Sequence, residues 1–306
     1  MHKSVLIDQI IDYLQPSDGK NYIDGTFGAG GYSKKILEAA NCNILAFDRD
    51  QNVIDIANNF KKEFGNNFDF ISSEFANIKQ HLNGKKYDAL ILDLGVSSMQ
   101  IDQADRGFSF QKDSKLDMRM DQTQKLSAFE VVNYTQEDEL ANIIYNYGDE
   151  RKSRRIAKLI VENRKINKIE TTSQLSEIVK KAVGQRGFSK IDPSTKTFQA
   201  IRIFVNDELG QLEKILADSA DILQKDGKLI IVSFHSLEDR IVKNFIKKNS
   251  GYDNRATSRY EPQSLTINEI KHSFSCKKLK AIKPTEEEIK KNIRARSARM
   301  RIAIKN

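Results

Sequence analysis

A ten-residue stretch, Tyr22-Ile23-Asp24-Gly25-Thr26-Phe27-Gly28-Ala29-Gly30-Gly31, has the composition of a loop that meets a ligand. Glycines lack a Cβ, so backbone can approach a bound molecule closely where a strand gives way to a helix. The flanking residues narrow the choice of ligand. Gly28-Ala29-Gly30-Gly31-Tyr32-Ser33 lacks the third glycine of a dinucleotide fingerprint. Asp24 would also repel a pyrophosphate. A ligand with an ammonium and a sulfonium, S-adenosyl-L-methionine, suits this charge pattern, which makes Asp24, Gly28, Gly30 and Gly31 candidate cofactor residues. Asp48 follows about twenty residues later, where a carboxylate can accept hydrogen bonds from both hydroxyls of a ribose. Asp48 could instead cap the next helix, but Asp50 can fill that role. Asp93 is a third strand-end carboxylate beside the expected point of group transfer, its plainer alternative being a solvated strand end.

These residues need a frame that puts three strand ends side by side. Residues 21–24, 43–48, 68–72 and 87–93 read as strands, alternating with helical patterns at 32–40, 51–64 and 74–82. That alternation predicts a mostly parallel sheet with crossover helices, a fold of the α/β class whose ligand edge lies at the carboxyl ends of the strands. Beyond about residue 104 the strand signal stops. Leu140, Ile143, Ile144 and Tyr147 fall at helical spacing, as do Leu175, Ile178, Val179 and Ala182, with Thr171 and Gln174 as a capping box. Residues 105–196 therefore form an expected all-helical insertion, with 1–104 and 197–306 as a discontinuous core. A long helical pattern runs from Phe198 to Gln224, Asp226-Gly227 turns the chain, and residues 228–234 read as a buried strand. Met300, Ile302 and Ile304 alternate with Arg299, Arg301 and Lys305, the pattern of an edge strand with one basic face.

The 306 residues carry a formal charge of +8. Residues 277–306 account for all of that excess, and Arg151 to Lys165 adds seven cations on one expected helix. Such clusters suit a phosphate-backbone partner, although a solvated lysine-rich surface would look alike. Cys42 and Cys276 are isolated, which argues against a zinc site or a disulfide framework. Asp102, Asp105 and Asp113 read as turn residues, so no metal is expected. The apolar runs are too short for a membrane span, and Met1-His2-Lys3-Ser4 opens no secretory signal, so cytoplasmic residence is the expectation.

Longer blocks are more specific. Asp93-Leu94-Gly95-Val96-Ser97-Ser98-Met99-Gln100, Asp105-Arg106-Gly107-Phe108-Ser109-Phe110 and Leu116-Asp117-Met118-Arg119-Met120 closely resemble the MraW family, also called RsmH, of bacterial small-subunit ribosomal RNA methyltransferases. The likeness continues through Tyr147 to Glu150, Thr197 to Arg202, Ser233 to Arg240 and Arg294 to Ala298, almost the whole chain. The resemblance implies a Rossmann-like methyltransferase core interrupted by a helical domain. It also implies methyl transfer from S-adenosyl-L-methionine to the exocyclic N4 amine of a cytosine in the decoding region of 16S ribosomal RNA. By motif, Gly30, Gly31 and Tyr32 would hold the methionine end, Asp48 the ribose, Phe75 the adenine neighbourhood, and Asp93 and Gln100 the rest. Phe75 would otherwise read as core. Tyr32 stands where family members often have His, and Ile293 where a Pro is usual.

A cytosine amine is a poor nucleophile, so positioning and a proton acceptor matter. Asp93 is the candidate acceptor, a backbone carbonyl near Leu94 the alternative. The base must leave its stack, and Phe108, Phe110 or Phe234 could receive it, Phe234 reading equally as core. His235 is placed at the mouth of the base pocket or, alternatively, at a helix cap. Arg151, Arg154, Arg155, Arg294, Arg296, Arg299 and Arg301 are candidate RNA contacts. The partner would be the small-subunit RNA or the subunit itself, with a homodimer also open. Competing classes are a nicotinamide-dependent oxidoreductase, which needs the missing glycine, and a non-catalytic RNA-binding protein, which would not need Asp24, Asp48 and Asp93 along one edge.

Overall fold

A computed structural model describes residues 4–184, 192–251 and 272–306. The chain divides into two compact units, Met1–Gly95 with Leu209–Asn306, and Val96–Glu208. In chain order the first unit opens with α1 (Ile7–Leu14), β1 (Asn21–Asp24), α2 (Gly31–Ala39), β2 (Asn43–Asp48), α3 (Ile54–Phe64), β3 (Phe68–Ser72), α4 (Ile78–His81) and β4 (Tyr87–Asp93). The four strands coincide with the four apolar runs expected to end in polar residues. Ile23, Ala46, Phe47 and the whole run from Ala89 to Leu92 are buried, as expected of strands covered on both faces.

The second unit holds α5 (Ser98–Asp102), α6 (Ala128–Tyr134), α7 (Glu137–Gly148), α8 (Ser153–Ile166), α9 (Thr172–Val183) and α10 (Thr195–Val205). Capping boxes at Ser127 and Glu130 and at Thr171 and Gln174 start α6 and α9. The apolar stripes of α7 to α10 meet in one core that includes Leu140, Ile144, Ile156, Ile160, Val179, Phe198 and Ile201. Because α10 contributes Phe198, Ile201 and Val205 to this core, the unit extends to Glu208 and takes in residues that the sequence pattern places with the sheet.

The uninterrupted helix expected from Phe198 to Gln224 is instead two. The Asn206 side chain accepts from Met120 N at 2.8 Å and donates to Met118 O at 2.7 Å and Arg202 O at 2.8 Å. Asp207 follows with φ 45°, in the left-handed region that ends a helix. Periodicity alone continued across this point because both segments are apolar at the same spacing.

The first unit resumes with α11 (Glu208–Ile222), β5 (Leu223–Ser233), α12 (Ser236–Asn249), β6 (Phe274–Ser275), α13 (Glu286–Lys291) and β7 (Arg299–Lys305). The seven strands lie in the order β3-β2-β1-β4-β5-β7-β6, parallel from β1 to β5 with β7 antiparallel. This is a Rossmann-like sheet, in which strand order reverses between the parallel neighbours β1 and β4, the point where such sheets open a crevice at the carboxyl ends of their strands. Asp226-Gly227 does not separate elements; it is an irregularity within β5, where Leu223 pairs with Tyr87 and Lys228 with Ala89.

The expected edge strand with a basic face is also corrected, since β7 lies between β5 and β6. Arg301 is buried, donating to Asp239 of α12 through Nε at 2.7 Å and Nη2 at 3.1 Å, and Arg299 Nη1 donates to the same carboxylate at 2.8 Å. The two arginines hold the Asp239 carboxyl below its ordinary value despite burial that pushes it up. The contribution is therefore present above the ordinary carboxylate range and is lost as pH falls through the depressed value. Asp239→Ala leaves a buried guanidinium without its carboxylate and should cost about 3 kcal/mol in urea melts near neutral pH, the loss shrinking in acid as the depressed carboxyl takes up its proton.

Candidate active site

Asp24, Asp48 and Asp93 are the last residues of β1, β2 and β4, three strands that are neighbours in the sheet. Adjacent strands run about 4.8 Å apart, so the carboxyl ends form one acidic edge. Asp24 is fully buried. Its Oδ2 accepts from Ser33 Oγ at 2.6 Å and its Oδ1 from Thr26 N at 3.3 Å. Burial nevertheless pushes its carboxyl up to about 6.

Thr26 also receives Asp93 N–H on its Oγ1 at 2.7 Å, so one loop residue ties two strand ends together. Asp93 Oδ1 is buried and has no hydrogen-bond partner. Burial pushes the Asp93 carboxyl up to about 8, the Tyr32 hydroxyl opposing this and the charges of Asp24 and Glu238 adding to it. An acceptor left unmatched inside a protein is costly, and sites of function are where such costs are tolerated.

Asp48 accepts from Gly28 N at 2.8 Å and from Asp50 N at 2.9 Å, which fixes the loop against β2 while burial pushes its carboxyl up. Asp50, not Asp48, caps the following helical turn through Asn52 N. Phe27 anchors the loop from below, its ring 5.1 Å from Phe60 and 5.4 Å from Phe68. Gly30 has φ 74°, and a Cβ there would strike the Phe60 ring; one on Gly31 would strike Ser4. Tyr32 is buried in the first turn of α2, donating its hydroxyl to Val5 O at 2.5 Å. Phe75 lies after β3, half-buried against the sheet's apolar core.

The arrangement suits a cation. Among the described residues neither Asp24 nor Asp93 has a cationic partner, and a positive ligand at this edge would lower both carboxyls toward their ordinary range. A sulfonium-bearing donor fits such a cradle; a pyrophosphate does not.

The other expected residues are distributed as follows. Gln100, in the second unit, is buried and completes the α5 capping box, its Oε1 accepting from Ser97 N at 2.9 Å. Phe108 and Phe110 are half-buried beside the helical core, Phe110 packed edge-on to Phe198. His235 is the N-cap of α12: its Nδ1 accepts from Glu238 N, and its Nε2 lies 3.1 Å from Glu238 Oε1. Phe234, beyond the end of β5, is half-exposed. Arg151, Arg154 and Arg155 are exposed at the start of α8, whereas Arg164 at its far end is spent on Val132 O and Thr135 O. Arg294 and Arg296 are exposed, Arg299 is exposed but paired, and Arg301 is not a surface cation at all.

Sequence reasoning missed Thr26, Ser33 and Glu238. Glu238 is buried and accepts from Phe234 N and His235 N. Its signal was a polar run after a strand, which reads equally as a helix start.

A family model described as the MraW methylase family matches residues 1–306. A protein named ribosomal RNA small subunit methyltransferase H from Rickettsia conorii is 54% identical over 302 residues, covering 99% of this chain and 97% of the relative. A protein of the same name from Rickettsia felis is 53% identical over 304 residues, covering 99% and 98%. Among solved structures, a putative rRNA-methylase from Clostridium thermocellum gives a TM-score of 0.45 at 10% identity over the full length of both chains.

The raised carboxyl of Asp93 has a consequence for stability. The folded ligand-free protein binds this proton more tightly than the unfolded chain, so stability falls as pH rises from the ordinary carboxylate range toward 8. Asp93→Asn should therefore raise the ligand-free melting temperature by on the order of 5 °C at about pH 9, with no gain at about pH 4, as measured by calorimetry.

Proposed function

The chain belongs to the MraW methylase family, and we propose that it methylates the exocyclic N4 amine of a cytosine in the decoding region of 16S ribosomal RNA. It is a methyltransferase that uses S-adenosyl-L-methionine. Small-subunit ribosomal RNA is its substrate class, in keeping with the names its relatives carry. The observation that carries the finer reading is the unmatched Asp93 oxygen at the end of β4.

When bound, the donor supplies an electrophilic methyl group on a sulfonium. Gly28, Gly30 and Gly31 bring backbone close to it, and Tyr32 closes the loop at the methionine end. Asp48 would meet the ribose hydroxyls, Phe75 the adenine, and Gln100 the remaining cofactor contacts. Asp24 lends negative potential from beneath.

The amine nitrogen of cytosine shares its lone pair with the ring. As its bond to the methyl carbon forms and the carbon–sulfur bond breaks, positive charge grows on nitrogen. Asp93 Oδ1 then takes the amine proton. Its suitability lies in that unmatched oxygen, which is buried and free to accept a proton at the end of β4. The base stacks on an aromatic face, for which Phe108, Phe110 and Phe234 are candidates. His235 acts as the cap of α12, orienting Glu238 and the segment that carries Phe234. Residues 105–196 are assigned to the substrate, with Arg151, Arg154 and Arg155 on the RNA backbone alongside Arg294 and Arg296. Cytoplasmic residence agrees with such a substrate, and no described helix is long and apolar enough to cross a membrane.

The test is to incubate the protein with labelled S-adenosyl-L-methionine and small subunits lacking the modification, then map the labelled nucleoside by mass spectrometry. Label on cytosine N4 is expected, and label on another base overturns the assignment. Replacing Arg151, Arg154 and Arg155 together by Gln should weaken RNA binding roughly tenfold at low salt and reduce the slope of affinity against salt by about two to three, leaving donor affinity unchanged.

A further inference from the structure

We infer that Glu288 is a positioning residue for methyl transfer, holding residues 4–6 over the glycine loop so that the Tyr32 hydroxyl is committed to Val5 and Asp93 Oδ1 stays free to accept. The inference rests on Asp93 as the proton acceptor. Glu288 lies in α13, far along the chain from the loop, and its Oε1 accepts from Leu6 N at 2.6 Å. Leu6 is fully buried with φ 56° and ψ 25°, a left-handed conformation that an L-residue other than glycine adopts only when something holds it there. No side chain caps α1 at Leu6, so the Glu288 carboxylate is the contact that fixes the N–H in this geometry.

The held segment does two things at the site. Ser4 occupies the space that a side chain on Gly31 would fill, pressing the loop from outside. Val5 O takes the Tyr32 hydroxyl at 2.5 Å. A phenol has one hydrogen, and Tyr32 has two acceptors within reach, Val5 O at 2.5 Å and Asp93, whose carboxyl it already lowers in part. While Val5 holds that hydrogen, Asp93 Oδ1 has no donor. If residues 4–6 were released, the hydroxyl could turn fully to Asp93, stabilise its ionised form further and weaken it as a base.

The groups that face Asp93 and Tyr32 are accounted for. Burial raises Asp93 first, the Tyr32 hydroxyl lowers it, and Asp24 of β1 and Glu238 of α12 raise it further; Tyr32 is raised by burial first and then by Asp93, Asp24 and Glu288. Glu238 itself accepts from Phe234 N and His235 N. Glu288 thus joins the C-terminal segment that carries Arg294 and Arg296 to the reacting carboxylate through three residues at the other end of the chain.

The experiment is the pH profile of single-turnover methylation for wild type, Glu288→Ala, Glu288→Asp, Glu288→Gln and the double variant Glu288→Ala with Tyr32→Phe. Glu288→Ala should lower the maximal rate about tenfold and move the acid limb down by about one pH unit, with donor affinity changing less than about threefold. Glu288→Asp keeps the charge but withdraws the oxygen by one methylene, and should move the limb the same way even if the Ala variant folds poorly. Glu288→Gln keeps the acceptor and should stay within about twofold of wild type. Tyr32→Phe added to Glu288→Ala has no hydrogen to give and should bring the limb back up to its wild-type place or above it. A limb that stays put in both Glu288→Ala and Glu288→Asp, or that moves equally in the double variant, overturns the inference. A wild-type profile with no acid limb removes the reading of Asp93, and this inference with it.

Discussion

Asp24 and Asp93, carboxylates at the ends of neighbouring parallel strands, are withdrawn from water without a matching cation among the described residues, and the site depends on that constraint. Burial lifts Asp24 to about 6 and Asp93 to about 8, and Asp48 moves in the same direction. One hydrogen bond that Thr26 donates to Asp24, one that it accepts from Asp93 N–H and one from Ser33 hold this edge in place without neutralising it. The loop residues follow from that need. Phe27 locks the turn onto α3 and β3, Gly28 lends its amide to Asp48, and Gly30 passes where any side chain would meet Phe60. A cationic methyl donor relieves the crowding of negative charge, and the folded ligand-free protein carries that crowding as lost stability.

Positive charge is handled with equal selectivity. Within the basic last thirty residues, Arg299 and Arg301 converge on Asp239 and hold β7 to α12. Arg164 and Lys152 are likewise turned inward, to carbonyls of Val132, Thr135 and Val183. Arg151 before α8, Arg154, Arg155, Lys158 and Lys165 on it, and Lys277, Lys278, Lys280, Lys283, Lys290, Lys291, Arg294 and Arg296 near the C-terminus are exposed. Counting charges along a chain therefore overstates the surface available to a phosphate backbone, because a guanidinium buried beside a carboxylate contributes to folding and nothing to steering.

Much of this frame was legible in the residues. The four strands from Asn21 to Asp93 were, because continuous apolar runs bounded by turns leave few alternatives, and so was the cap at Thr171, because a capping box is local. The division at Asn206 was not: it depends on Met118 and Met120, more than eighty residues earlier in the chain, offering backbone groups to one side chain. Nor was the interior placing of β7, since alternation of Arg with Met or Ile looks the same whether the charged face meets solvent or Asp239. At the site, the carboxylates were visible as strand ends, while Thr26, Ser33 and Glu238 were not, because serine, threonine and glutamate near turns have many uses. The contact between Glu288 and Leu6 spans 282 residues and left no local mark.

The most direct measurement is the titration of Asp93 by carbon-13 NMR of its side-chain carboxyl, in ligand-free protein and with S-adenosyl-L-methionine bound. The account predicts a midpoint near 8 without ligand and a fall toward the ordinary carboxylate range with the cationic donor in place. A ligand-free midpoint near 4, the ordinary aspartate value, or a raised midpoint that the donor leaves unchanged, would contradict it.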